Sequence, residues 1–243
     1  MADPDGLPLF AGRVRLLQPR TGHRAGTDAV LLAAAAPLAD VSTAVDLGAG
    51  VGAVGLCYAA DNRTAQVRLL ELDPDAAGFA RENIALNALG DRVTVEEGDA
   101  LAVARDAGLA DLVLTNPPYL AAGRARSVEA KQRAHVMPEG GLEAWVTAAL
   151  RRLSPRGRLV MIHRAEALPD ILRALEGRFG RVSVLPVQPR AEAPAIRILV
   201  HAVKGSRGPF RLLPPLVLHE ATGDFTPLAA ALHKGEARCS WDG

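Results

Sequence analysis

The stretch Val41-Ser42-Thr43-Ala44-Val45-Asp46-Leu47-Gly48-Ala49-Gly50-Val51-Gly52-Ala53-Val54-Gly55 decides the fold. Val41–Leu47 is an apolar run of strand length, and Asp46 is its one charge. Glycines at 48, 50 and 52 then permit a sharp turn with positive φ and let a ligand approach the main chain unobstructed by Cβ. Behind the turn, Ala53–Ala60 has the apolar composition of a buried helix. A strand, a glycine turn and a helix in that order make the first half of a βαβ unit.

Working outward, the same alternation recurs. Strands are predicted at Val67–Leu72, Val93–Glu97, Asp111–Thr115, Gly157–His163, Val182–Val187 and Ile196–Val203. Helices are predicted from Pro74 to Ala88, over Glu139–Leu153 up to Ser154-Pro155, and over Ala165–Glu176. Alternating strands and helices imply a mostly parallel, seven-stranded sheet with helices on both faces. The last two strands are joined by Gln188–Ala195, too short for a crossover helix, so they should pair antiparallel. Ligands of such sheets bind beyond the carboxyl ends of the strands. One domain is expected over residues 1–243. It comprises a cover segment (1–40), a core (41–204) and a Pro- and Gly-rich wrap (205–243) with one short helix, Pro227–His233.

The 243 residues are 49% apolar, yet no apolar run approaches the roughly 18 needed to span a bilayer, and Ala29–Ala36 stops at Pro37. Met1–Asp5 lacks a basic start, so a cytoplasmic protein is expected. Cys57 and Cys239 make neither a disulfide framework nor a zinc motif, and six scattered histidines form no metal pattern; no metal is expected. Charge is segregated along the chain. Residues 29–119 carry five basic and thirteen acidic side chains, whereas 120–211 carry seventeen basic and seven acidic. That split suits a polyanionic partner on one side of the molecule.

Acidic residues close three successive predicted strands or their turns. Asp46 precedes the glycine turn; Glu71, about twenty residues on, can accept from ribose hydroxyls; Asp99 can accept from an adenine amine. Gly50-Val-Gly52-Ala-Val-Gly55 also satisfies the dinucleotide pattern G-x-G-x-x-G, which keeps a nicotinamide-dependent oxidoreductase in play. S-adenosylmethionine fits better, because its ammonium would pair with Asp46 where a pyrophosphate would be repelled. Asn116-Pro117-Pro118-Tyr119 directly follows the fourth strand. An amine on a heteroaromatic ring is a poor nucleophile because its lone pair is delocalised. Two acceptors, the Asn116 side-chain oxygen and the Pro117 carbonyl, can hold both its hydrogens and favour a pyramidal nitrogen. Pro117 and Pro118 restrict the backbone, so the acceptor geometry is preset. Tyr119 offers a face for a flipped base.

These motifs, with Glu71-Leu72-Asp73-Pro74, resemble class I S-adenosylmethionine-dependent methyltransferases of planar nitrogens, whose fold is Rossmann-like. The upstream Leu17-Gln18-Pro19 and Arg24-Ala25-Gly26-Thr27-Asp28-Ala29-Val30-Leu31-Leu32-Ala33 are similar to the tRNA1(Val) adenine-N6-methyltransferase family. The resemblance implies a tRNA substrate methylated beside the anticodon. It implies catalytic Asn116, Pro117, Pro118 and Tyr119. It also implies a cofactor site of Thr27, Asp28, Asp46, Gly48, Gly50, Gly52, Glu71, Leu72, Asp99, Ala100 and Asn116. Thr27 reads equally as an N-cap of the apolar helix that follows. Arg24, Arg124, Arg126, Lys131 and Arg133, with Tyr119, are the expected RNA contacts, since loops after strands lie at the cofactor mouth. Glutamine-N5 protein and guanine-N2 rRNA methyltransferases share the tetrapeptide and stand as alternatives.

Overall fold

The computed structural model describes residues 6–19, 26–102, 108–121, 136–137 and 141–241. Among them, nine strands form one sheet. Within it β3 (Thr43–Leu47) is flanked by β4 (Gln66–Glu71) and β6 (Ala110–Thr115). β5 (Val93–Glu97) lies outside β4, and β9 (Leu153–Arg164) outside β6. These five strands are parallel. β11 (Arg197–Lys204) is antiparallel to both of its neighbours, β9 and β10 (Phe179–Gln188). The predicted antiparallel pair is therefore present. The seven predicted strands gain two short ones, β12 (Arg211–Leu212) and β13 (Leu216–Val217), which run parallel to β10 and extend the edge. A hairpin, β1 (Leu7–Leu9) with β2 (Val14–Leu16), and a short parallel pair, β7 (Leu120–Ala121) with β8 (Val136–Met137), lie apart from the sheet. None of these short strands carries enough alternation to be read from sequence.

Side-chain alternation along the strands sorts the core into two halves. Ala44, Leu69, Leu112, Leu114, Val160 and Ile162 face α1 (Thr27–Ala35), α2 (Ala53–Asp61) and α3 (Pro74–Leu86). Val45, Leu47, Val113, Leu159 and Met161 face α4 (Gly141–Arg152) and α5 (Leu168–Leu175). Both faces are thus covered, as a parallel sheet requires. α3 begins as Pro74 predicts: Asp73 caps it, accepting from the amides of Asp75 (2.9 Å) and Ala76 (3.4 Å), with proline in the first turn. The last segment closes over α1. α6 (Pro227–Lys234) is capped by Thr226, the Cys239 amide donates to the Ala34 carbonyl at 3.0 Å, and Trp241 Nε1 donates to the Ala35 carbonyl at 2.7 Å.

From β3 the chain winds outward to β4 and β5, then returns to β6 on the opposite side of β3. The order reverses between β3 and β6, where Leu47 is paired with Thr115. The next residues of the two strands, Gly48 and Asn116, therefore leave the sheet side by side at its carboxyl edge.

Candidate active site

The glycine turn is built by three different constraints. Gly48 has φ +72°, and a Cβ there would sit 3.0 Å from the Trp145 ring. Gly52, φ +88°, is the N-cap of α2, and a Cβ would come within 2.9 Å of Leu69 Cδ1. Gly50 also has positive φ, +56°, but a Cβ there would meet nothing within 4 Å. The turn is closed against the core at its two ends and open in the middle. Gly55 adopts no such φ; a Cβ would collide with Leu69, so the final glycine of the G-x-G-x-x-G match serves close helix–strand packing.

Asp46 lies beneath the turn, 1% exposed, and its Oδ2 accepts from the Gly55 amide at 2.8 Å. It thereby caps α2 from the neighbouring strand, because the glycine N-cap has no side chain to do so. Burial raises its pKa to about 7; the Glu71 carboxylate pushes the same way, and the Gly55 bond opposes. Glu71, 3% exposed, is equally engaged. Oε2 accepts from the Gly50 amide at 2.6 Å, and Oε1 from the amides of Leu72 (3.0 Å) and Asp73 (2.9 Å). Sequence reading treats this carboxylate as free for two ribose hydroxyls. With roughly four acceptor positions and three filled, it has about one to spare unless the Gly50 bond yields. Leu72, just beyond, is 64% exposed, an apolar surface that a flat ring could cover. Asp99 is exposed, with Oδ1 accepting from the Leu101 amide at 2.8 Å, while Ala100 is buried in the core. An open main chain at Gly50, flanked by the Glu71 carboxylate and the exposed Leu72, suits a nucleoside carrying a cationic tail.

Thr115 anchors the tetrapeptide. Its hydroxyl donates to the Leu47 carbonyl (2.8 Å) and accepts from Trp145 Nε1 (2.8 Å), so β6 is locked to β3 at the last residue before Asn116. Pro117 is buried, and Asn116 and Tyr119 are half-buried. The Tyr119 hydroxyl stands 2.7 Å from Asn116 Oδ1 and 3.0 Å from Asp28 Oδ2, and Arg197 Nε donates to the same Asp28 oxygen at 2.9 Å. Burial and the Asp28 carboxylate raise the pKa of the phenol far above its usual 10.0, so it remains a donor. Arg197 and Arg164 guanidinium carbons lie 5.4 Å and 5.8 Å from the Tyr119 ring centroid. His163 meets the ring edge-on at 4.8 Å, and burial lowers its pKa to about 4. Asp28 thus faces Tyr119 and Arg197. Thr27 is the first residue of α1 rather than its cap, which is Gly26, and its hydroxyl lies 3.4 Å from His233 Nε2.

The structure brings Thr27, Asp28, Asp46, the three glycines, Glu71, Leu72, Asn116, Pro117, Pro118 and Tyr119 to one edge of the sheet. Arg24, Arg124, Arg126, Lys131 and Arg133 lie outside the described residues. Sequence reasoning missed Arg197, Arg164 and His163, which surround Tyr119. Arg197 is 169 positions from Asp28, and nothing local marks it.

Residues 25–190 match the model of the family described as methyltransferase small domain. A tRNA1(Val) (adenine(37)-N6)-methyltransferase of Porphyromonas gingivalis is 31% identical over 223 residues, covering 84% of each chain. Its namesake from Aeromonas hydrophila is 30% identical over 215 residues, 85% of this chain and 87% of that one. Among solved structures, a predicted O-methyltransferase from Agrobacterium tumefaciens superposes with a TM-score of 0.73 at 31% identity, covering 87% of this chain and 98% of the other. An S-adenosylmethionine-dependent O-methyltransferase of Thermotoga maritima, 19% identical over 77% of this chain and 68% of its own, shares the fold with a TM-score of 0.55.

Proposed function

This chain belongs to the methyltransferase small domain family, and from that premise we propose that it methylates the N6 amine of an adenine in tRNA, with S-adenosylmethionine as donor. The observation that carries the proposal is the pairing of Leu47 with Thr115, which sets Asn116 at the strand end beside the open glycine turn. When bound, S-adenosylmethionine would supply a methyl group activated by a sulfonium, whose sulfur would leave as a neutral thioether as the amine nitrogen takes the methyl and gives its surplus proton to solvent. No metal is needed, because the sulfonium is itself the activated leaving group.

The chain's own residues bind and orient. Gly48, Gly50 and Gly52 present main chain to the cofactor, Glu71 offers its remaining acceptor to the ribose, and Leu72, Asp99 and Ala100 border the purine. Thr27 and Asp28 cover the site from α1. The buried negative charge of Asp46 favours the cofactor's ammonium. Asn116 Oδ1 and the Pro117 carbonyl take the two amine hydrogens, and Pro118 keeps that segment rigid. Tyr119 stacks against the flipped base on whatever face Arg164 and Arg197 leave uncovered. The motif supplies two acceptors and no base, which fits an amine with two hydrogens; a hydroxyl nucleophile has one and needs a base to remove it. Arg24, Arg124, Arg126, Lys131 and Arg133 grip RNA phosphates. The chain acts as one cytoplasmic catalytic domain, with 1–40 as cover, 41–204 as core and 205–243 as wrap.

Replacing Asn116 by Ala tests the assignment. Turnover of a tRNA transcript should fall by at least about a hundredfold, the scale of losing one preorganised hydrogen-bonding group. The dissociation constant for S-adenosylmethionine should stay within about twofold. A variant that turns over normally would remove the mechanism.

A further inference from the structure

One of the two lone pairs on the acceptor that the reaction needs is already engaged. Tyr119 and Asn116 are three residues apart in one rigid turn, and the tyrosine hydroxyl sits 2.7 Å from Asn116 Oδ1, inside the range of a good O–H···O bond. A phenol carries a single hydrogen, so it serves one acceptor at a time. The second acceptor within reach, Asp28 Oδ2 at 3.0 Å, belongs to α1, 91 positions away. Arg197, on β11, holds that carboxylate oxygen in place through Nε at 2.9 Å. The two acceptors differ in kind, one a neutral amide oxygen and the other an anionic oxygen paired to a guanidinium.

We propose that the Tyr119 hydroxyl is a hand-off switch: it donates to Asn116 Oδ1 in the empty site and turns to Asp28 Oδ2 when the substrate amine arrives, the short O···O contact opening slightly as the bond is given up, so that both lone pairs of Asn116 Oδ1 face the amine. The inference rests on the reading of Asn116 as the amine acceptor. Asp28 and Arg197 are then positioning residues. Without the second acceptor, freeing Asn116 would strand a half-buried phenolic O–H, and the amine would be left with the remaining lone pair of an oxygen already accepting from the phenol. The neighbouring groups keep the device in its neutral form. Burial holds the proton on the phenol, and two nearby guanidiniums, Arg164 and Arg197, offset the Asp28 charge. Rotation of a hydroxyl is fast and leaves the stacking face of the ring untouched.

Two experiments test the switch. The first is kinetic, at saturating S-adenosylmethionine with a tRNA transcript. Asp28→Ala should lower kcat on the order of tenfold, the worth of one hydrogen bond, with KM for tRNA little changed because the phosphate contacts remain. Adding Tyr119→Phe should then raise kcat, bringing the double variant to within about threefold of Tyr119→Phe alone, because no hydroxyl is left to engage Asn116 Oδ1. A double variant as slow as Asp28→Ala, or slower, overturns the proposal, as does an undiminished kcat in Asp28→Ala. Asp28→Asn, which keeps the shape and offers a neutral acceptor, should show the same pattern at smaller amplitude and serves if the alanine variant is unfolded. The second experiment needs no turnover. The chain has two tyrosines, so labelling with [ζ-13C]tyrosine gives two NMR signals, and Tyr119→Phe assigns the one from Tyr119. Confining the hydroxyl to one acceptor at a time, by Asn116→Ala or by Asp28→Ala, should move that signal in opposite directions. A signal that either variant leaves unmoved refutes the shared hydroxyl. If the wild-type protein methylates no tRNA, the substrate assignment fails, and the NMR result alone decides the switch.

Discussion

Replacing Asp46 by Asn should make the protein more stable at neutral and alkaline pH while weakening its grip on the cofactor. The carboxylate is 1% exposed and its pKa is raised by burial from 3.8 to about 7. A group whose folded pKa lies above its unfolded value adds stability that is complete below about pH 4 and has been lost once pH passes about 7. At about 1.4 kcal/mol per unit, the shift of roughly three units makes ionised Asp46 a cost of about 4 kcal/mol at pH 8. The amide is neutral at every pH, and its side-chain oxygen can still accept from Gly55. The variant should therefore exceed wild type by about 4 kcal/mol at pH 8, a margin that disappears near pH 4. Urea unfolding at half-unit steps from pH 4 to 8 reads this directly as a midpoint difference that grows with pH at constant m-value. Calorimetry should show that wild type releases a proton on binding S-adenosylmethionine near pH 6.5, as the ammonium drives Asp46 to ionise, and that the variant binds at least about tenfold more weakly without that release. A midpoint difference independent of pH, or a variant less stable at pH 8, would refute the reasoning.

Two further outcomes follow from the same geometry. Gly52→Ala places a Cβ 2.9 Å from Leu69 Cδ1 at φ +88°, so it should cost about 1–3 kcal/mol by urea unfolding and also weaken cofactor binding, whereas Gly78→Ala, with open space and helical surroundings, should not destabilise. His163, buried with a pKa lowered from 6.5 to about 4, contributes stability that is full above about pH 6.5 and lost as pH falls toward 4. At pH 5 that loss is about 2 kcal/mol. His163→Phe should abolish this part of the acid sensitivity, and an unaltered difference in unfolding free energy between pH 7 and 5 would contradict it.

Much of this site is local in sequence and was legible there. The turn Gly48–Gly52, the carboxylates one strand length apart and the tetrapeptide after β6 are each set by the chemistry of a few adjacent residues, and regular βα alternation says which sheet edge they share. Residue type alone also marked Ala53–Ala60 as a buried helix and Pro74 as a helix start. The free or engaged state of a group was not local. Glu71 looks like an open ribose acceptor in sequence, but its oxygens fold back onto three main-chain amides, because a strand-end carboxylate sits within reach of whatever N–H groups the next turn exposes.

The amino-acid sequence by itself determined the parallel sheet, the position of its glycine turn and the place of the Asn116–Tyr119 tetrapeptide after a strand, since each follows from backbone permission, apolar periodicity or the residue types of one short segment. Only the tertiary structure decided that Asp28, Tyr119, Asn116 and Arg197 meet. They come from α1, the loop after β6 and β11, and their meeting depends on the strand order that seats β11 next to β9 and on the packing of α1 across the sheet. Long-range pairing is a property of the whole packed core, so no window of residues around any one of the four contains it.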